Sequence, residues 1–305
     1  MSESAGHAEG SLAALYETVR LLTDPGQLSA GQAVLVAASA LLVGAVLWSC
    51  CGRQNKVKLR AEFTPGKVYF HAAPPVKAIP CLTPFGMKLE TYLRMADIPY
   101  EPMYGRSRGP KGKIPWIEYN GEAKGDSGLI IEFLNREKGV DLNQSLSEAD
   151  KAVSRAFTKM VEENTYWGLV RNRWIDNFDQ LQELFEVPWF VMFLLRSVRG
   201  KVKQTLWAHG IGRHDKDDLE GIIEKDLKAI SRFLGAKPYL MGDEPTEVDA
   251  AVFGQLSEIC WANSDSYLHR IVTVDCPNLQ AYCNRIKDRY WLDWDQLTKK
   301  SKKDQ

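Results

Sequence analysis

Pro238-Tyr239-Leu240-Met241-Gly242-Asp243, followed after two residues by Thr246-Glu247-Val248-Asp249, is the stretch on which the reading of the fold turns. Its first half suits a tight turn. Its second half starts a helix, because Thr246 can accept from first-turn amides while Asp249 bonds back to the cap. An apolar helix over 247–262 completes the unit. Outward from it, helices are expected at 178–186, 189–207, 216–234 and 277–291. Ser147-Glu148-Ala149-Asp150 resembles a second capping box, opening a long helix with an inner face of Val153, Ala156, Phe157, Met160, Val161 and Trp167. No strand stands out beyond Asp141, so 147–295 is expected to be all-α, a bundle of about 150 residues.

The residues before it read differently. Lys67-Val68-Tyr69-Phe70 suits a strand, and the proline-rich stretch from His71 to Thr83 a loop. Thr83-Pro84 opens a helix, with threonine as cap and proline in the first position. Residues 98–104 are short and extended, and 105–113 form a polar loop. Ile114 to Tyr119, then Asn120-Gly121, then Glu122-Ala123 reads as a hairpin. Asp126-Ser127 caps a helix from Gly128 to about Lys138. Strand, helix, three strands and a helix make an α/β unit over 67–140.

Upstream of both lies an uncharged run, residues 33–51, AVLVAASALLVGAVLWSCC. A helix of that length covers roughly the 30 Å hydrocarbon core of a bilayer. The segment 1–32 is acidic, and Arg53, Lys56, Lys58 and Arg60 follow the run, which places the later chain in the cytosol. A signal peptide would need a basic start. Cys50 and Cys51 are either lipidation candidates or small residues ending the span. Residues 52–66 read as a basic linker and 296–305 as a lysine-rich tail. The terminal Lys302-Lys303-Asp304-Gln305 admits two readings, a dilysine retrieval signal for the endoplasmic reticulum or a solvated end. The sequon Asn143-Gln144-Ser145 is silent in a cytosolic domain.

Composition narrows the classes. In 305 residues, 39 basic and 39 acidic side chains balance, which argues against nucleic acid as a partner. With 45% hydrophobic residues the chain can build a core, and six cysteines are too few for a disulfide framework.

The expected fold class is an α/β thioredoxin-like domain followed by an all-α domain like the C-terminal half of a glutathione transferase, behind one transmembrane helix. This order resembles the glutathione transferases. In that resemblance Thr83-Pro84-Phe85-Gly86 takes the place of the catalytic turn, and Ile114-Pro115 that of the cis-proline that presents backbone to a peptide ligand. Asp126-Ser127 takes the place of the site for the γ-glutamyl end of glutathione. Pro84 to Ala96, Gly112 to Asn120, Thr158 to Glu163 and His209 to Arg213 further resemble the failed axon connections family. Its members are related to metaxins, carry an N-terminal membrane segment and are implicated in axonal development.

The resemblance implies ligand candidates Thr83, Ile114, Pro115, Asp126 and Ser127, with Thr83 the one catalytic candidate. No cofactor or metal is called for; glutathione is the candidate ligand. Departures weaken an enzyme reading. The family pattern has cysteine where this chain has Gly86, threonine cannot exchange disulfides, and Cys81 precedes the helix. Segment 105–113 is too short for the helix that closes one wall of a typical glutathione pocket. Thr83 is thus either a plain cap or an activator of a bound thiol.

The reading is a single-pass membrane protein with a cytosolic, non-catalytic interaction module. Its membrane is the endoplasmic reticulum or the mitochondrial outer membrane, and its partner an unidentified protein or a second copy of the chain. The alternative is a membrane-tethered glutathione transferase. Two further stretches stay open: Trp189 to Leu195 as core helix or as a face resting on the membrane or on a partner helix, and Trp291-Leu292-Asp293-Trp294 as core or binding knob.

Overall fold

The computed structural model describes residues 57, 59–60, 62–105, 107–187, 189–264 and 266–299. The expected span 33–51, Cys50 and Cys51 lie outside the described residues, within which no helix is long and apolar enough to cross a membrane.

β1 (Val68–Ala72) is buried throughout because it lies inside the sheet, in the order β2-β1-β3-β4. β2 (Tyr100–Tyr104) runs parallel to it, as a helix crossover requires. β3 (Trp116–Tyr119) and β4 (Glu122–Gly125) are antiparallel. Asn120 and Gly121 join them with φ of 49° and 80°, the positive pair that a two-residue hairpin turn demands.

Alternation along the strands divides the sheet into two faces. Val68, Phe70, Ile117 and Tyr119 enter the core with Leu89 and Tyr92 of α1 (Pro84–Met95) and Ile130 and Leu134 of α2 (Ser127–Lys138). Tyr69, His71, Trp116 and Glu118 turn the other way and are nevertheless buried. Part of their cover comes from the end of the expected linker 52–66, which is therefore no free spacer. The Arg60 guanidinium sits 4.6 Å above the Tyr69 ring, and its backbone N–H donates to Glu118 Oε2 at 2.9 Å. Trp116 stacks on His71 at 3.7 Å and donates its indole N–H to the Ser107 carbonyl.

The helical part begins at Ser147, whose hydroxyl accepts from the Asp150 N–H. The Asp150 carboxylate accepts from that same hydroxyl rather than from the cap's backbone, so the expected box is half formed. α3 (Glu148–Met160) runs through a π turn (Val161–Thr165), α4 (Tyr166–Arg171) and a second π turn (Asn172–Asp176). Its inner stripe differs from the expected one. Ala156 is exposed and Ser154 buried, since the stripe facing the bundle is centred on Ser154 and Val161.

α5 (Leu181–Leu184), α6 (Trp189–His209) and α7 (Lys216–Leu234) follow. α8 (Glu247–Ala262) is buried along almost its whole length and carries the capping box of Thr246 and Asp249. α9 (Tyr267–Arg270), a third π turn (Ile271–Asp275) and α10 (Pro277–Tyr290) lead to α11 (Trp294–Lys299). Trp291 and Trp294 are 1% and 5% exposed, so both rings are core, whereas Leu292 between them is 84% exposed; Trp291 donates to Thr91 of α1 at 3.1 Å. The start of the expected tail 296–305 is accordingly helical, with Thr298 buried against its own helix.

The two parts meet where α8 crosses α1. A Cβ on Gly254 would lie 2.5 Å from the Pro84 carbonyl oxygen and 2.9 Å from the Lys88 nitrogen, both backbone atoms that cannot swing aside. Gly254→Ala is therefore expected to cost about 2–3 kcal/mol by forcing the helices apart. Urea unfolding measures this; a cost under about 0.5 kcal/mol would mean that the contact yields freely.

Candidate functional site

The candidate residues gather by register. His71 pairs with Trp116, and Trp116 with Gly125. The C-terminal end of β1, the N-terminal end of β3 and the C-terminal end of β4 therefore lie side by side. Pro115 and Ser127 stand beside this edge, and the loop leading to Thr83 leaves from it. The Ile114–Pro115 bond is cis. Ile114 is half-buried and Pro115 buried.

Thr83 caps α1. Its Oγ1 accepts from the Gly86 N–H at 3.1 Å and lies 3.4 Å from Cys81 Sγ. A Cβ at position 86 would come within 2.5 Å of that sulfur and 2.6 Å of that hydroxyl, so glycine lets the turn fold over the cap. Cys81 is fully buried, and desolvation pushes its thiol up to about 12 despite the hydrogen bonding from Thr83. At pH 8 its thiolate fraction is then about 10⁻⁴, against about a quarter for an ordinary cysteine. A thiol-reactive maleimide at that pH is expected to leave Cys81 unmodified until the protein is unfolded. Peptide mass mapping reads this, and fast native labelling at Cys81 would refute the burial argument.

Asp126 holds the start of α2 with φ at 84°, a left-handed value that a non-glycine residue adopts at some cost. Its Oδ1 accepts from the N–H groups of Gly128 and Leu129 at 3.1 and 3.2 Å. Its Oδ2 is 3.9 Å from Lys111 Nζ. The chain's own carboxylate thus takes two of the amides that an incoming carboxylate would use. Ser127 is 6% exposed, and its hydroxyl makes no bond within the described residues. Two surface hollows, one along α10 at Asn284 and Asp288 and one beside Lys77 and Gln182, include none of these residues.

Charged residues behind the site escape a local reading of the sequence. Lys88 of α1 is 5% exposed and donates to Glu162 Oε1 at 2.6 Å. Arg173 donates to Glu258 Oε2 at 2.6 Å and to the carbonyl of Leu82, one residue before Thr83. Partners 74 and 85 residues apart leave no periodic signal.

A model of the glutathione S-transferase N-terminal domain matches residues 84–180, and one of the glutathione S-transferase C-terminal domain matches 223–286. A solved beta-etherase from Sphingobium superposes with a TM-score of 0.53 at 14% identity, covering 77% of this chain and 99% of its own. A mixed sheet led by a cis-proline strand, joined through α1 to a helix opened by a buried capping box, thus defines a glutathione-transferase-like fold. Among relatives, failed axon connections of Drosophila melanogaster is 32% identical over 79% of this chain, which spans 62% of that protein's length. An isoprene-epoxide glutathione S-transferase of Rhodococcus is 29% identical over 71% of this chain and 96% of its own. Metaxin-2 of Mus musculus is 26% identical over 68% and 82%. The chain is a metaxin-related, glutathione-transferase-like protein, similar to failed axon connections over most of its length.

Proposed function

We propose that this chain is a membrane-anchored binding module, held by residues 33–51 with its folded part in the cytosol, and that it recognises a protein partner rather than catalysing glutathione transfer. The name of the fly relative supports a part in forming axon connections. One observation carries the reading. At the N-terminus of α1, where a transferase would activate a thiol, the hydroxyl of Thr83 serves as the helix cap beside a buried Cys81 whose thiol is held protonated. The uncharged run and the basic residues after it support the anchor. The endoplasmic reticulum and the mitochondrial outer membrane are the two membranes proposed, and a second copy of the chain is an alternative partner.

A second reading, glutathione transferase, is favoured by the unbonded Ser127 hydroxyl at the cis-proline edge of the sheet and by likeness to the Rhodococcus enzyme. Titration of the full chain with glutathione and assay with a generic aryl halide separate the two. We expect conjugation at the uncatalysed rate, with Thr83→Ala lowering stability by about 1 kcal/mol as a lost cap does. Turnover that disappears in Thr83→Ala or Ser127→Ala would establish the transferase instead. Carbohydrate on Asn143 would overturn the cytosolic placement.

A further inference from the structure

α6 lies within 181–222, between the stretches matched by the two family models. Its outer side carries one line of residues. Trp189, Phe193, Arg196, Gly200, Lys203 and Trp207 follow each other at alternating steps of four and three, which keeps them on one face for about 27 Å. Trp189 is 76% exposed, Phe193 70% and Trp207 60%, whereas Leu206, about 100° round the helix from Trp207, is 2% exposed. From Val187 to His214 the chain has no acidic residue, although acids and bases balance over its whole length. Arg196 and Lys203 form no ion pair within the described residues.

We propose that this face of α6 lies flat on a bilayer that carries anionic lipid. The inference rests on the membrane placement proposed above. Indole rings at both ends of the stripe favour the level of the headgroups, and Phe193 can enter the acyl boundary. Arg196 and Lys203, between them, reach lipid phosphates while their stems follow the apolar surface. A protein groove suits the stripe less well. It would need continuous apolar anchors, and it would bury two cations that bring no counter-ions of their own. At an anionic headgroup layer the same cations meet complementary charge.

Hydrogen exchange on the full chain tests the proposal, in phosphatidylcholine vesicles and in vesicles with about a third phosphatidylserine. Peptides covering 189–207 are expected to exchange about tenfold more slowly on the anionic vesicles. Phe193→Ser combined with Trp207→Ser should abolish that protection, and Arg196→Glu combined with Lys203→Glu should remove its dependence on lipid charge. All four positions are exposed, so the fold should survive both changes. Equal exchange on the two vesicles overturns the proposal. So does protection that fades on diluting the protein at constant lipid, which would make α6 a contact between copies. If alkaline carbonate releases the chain from vesicles, the anchor proposal fails separately. Co-sedimentation of the released chain with anionic vesicles then reads α6 directly, and failure to sediment overturns its proposed role.

Discussion

Asp249→Ala is expected to lower stability by about 4 kcal/mol, which at this size is a fall of about 8–16 °C in melting temperature. The carboxylate is fully buried and accepts four hydrogen bonds. The N–H groups of Leu240 and Thr246 donate at 2.9 and 2.7 Å, and the hydroxyls of Thr246 and Tyr282 at 3.0 and 2.9 Å. Removing it strands donors from the turn, the cap and α10 together, in a place water does not reach. Asp249→Asn should cost less, because its carbonyl oxygen still accepts while its NH₂ group faces donors. Thermal and urea unfolding check both variants. A loss below about 1 kcal/mol for the alanine variant would mean that water replaces the carboxylate and that this box is not what ties α8 to the turn.

Arg173→Ala is expected to cost about 3–5 kcal/mol near neutral pH, because it leaves Glu258 charged and unpaired in the interior. Both residues are buried, and Glu258 Oε1 and Arg173 Nε already lack partners. Burial raises the Glu258 carboxyl above its ordinary range, and the Arg173 guanidinium opposes that shift. Without Arg173 the shift grows. The folded state then holds the proton more tightly than the unfolded chain does. Stability from that proton is complete below the ordinary glutamate range and is lost as pH rises through the raised value. The variant's deficit should therefore be smaller at about pH 5 than at about pH 8. A deficit independent of pH would mean that Glu258 is protonated in the wild type as well. Replacing both residues with apolar ones of similar size should restore much of the loss.

The legible parts of this protein rest on neighbours in sequence. The Asn120-Gly121 turn and the Thr83, Asp126 and Thr246 caps each need only residues within one turn of chain. The π turns at 161–165, 172–176 and 271–275 were not legible, since each spans only five residues, too few to show an apolar period of its own. α11 was hidden for another reason. Its place is set by Arg94, which donates to Asp293 at 2.6 Å and stacks over Trp291 at 4.0 Å, across 199 positions of sequence.

The candidate site divides along the same line. Sequence alone determined which residues stand at the strand ends and helix starts, because propensity, capping and turn chemistry act locally. Only the tertiary structure decided that Cys81 is sealed from water, that Lys88 and Arg173 are buried charges behind the site, and that α6 keeps its aromatic side uncovered. Burial depends on what other segments bring to the same place. α1 lies between the sheet and α8, so even its polar residues lose solvent, whereas α6 has the bundle on one side alone.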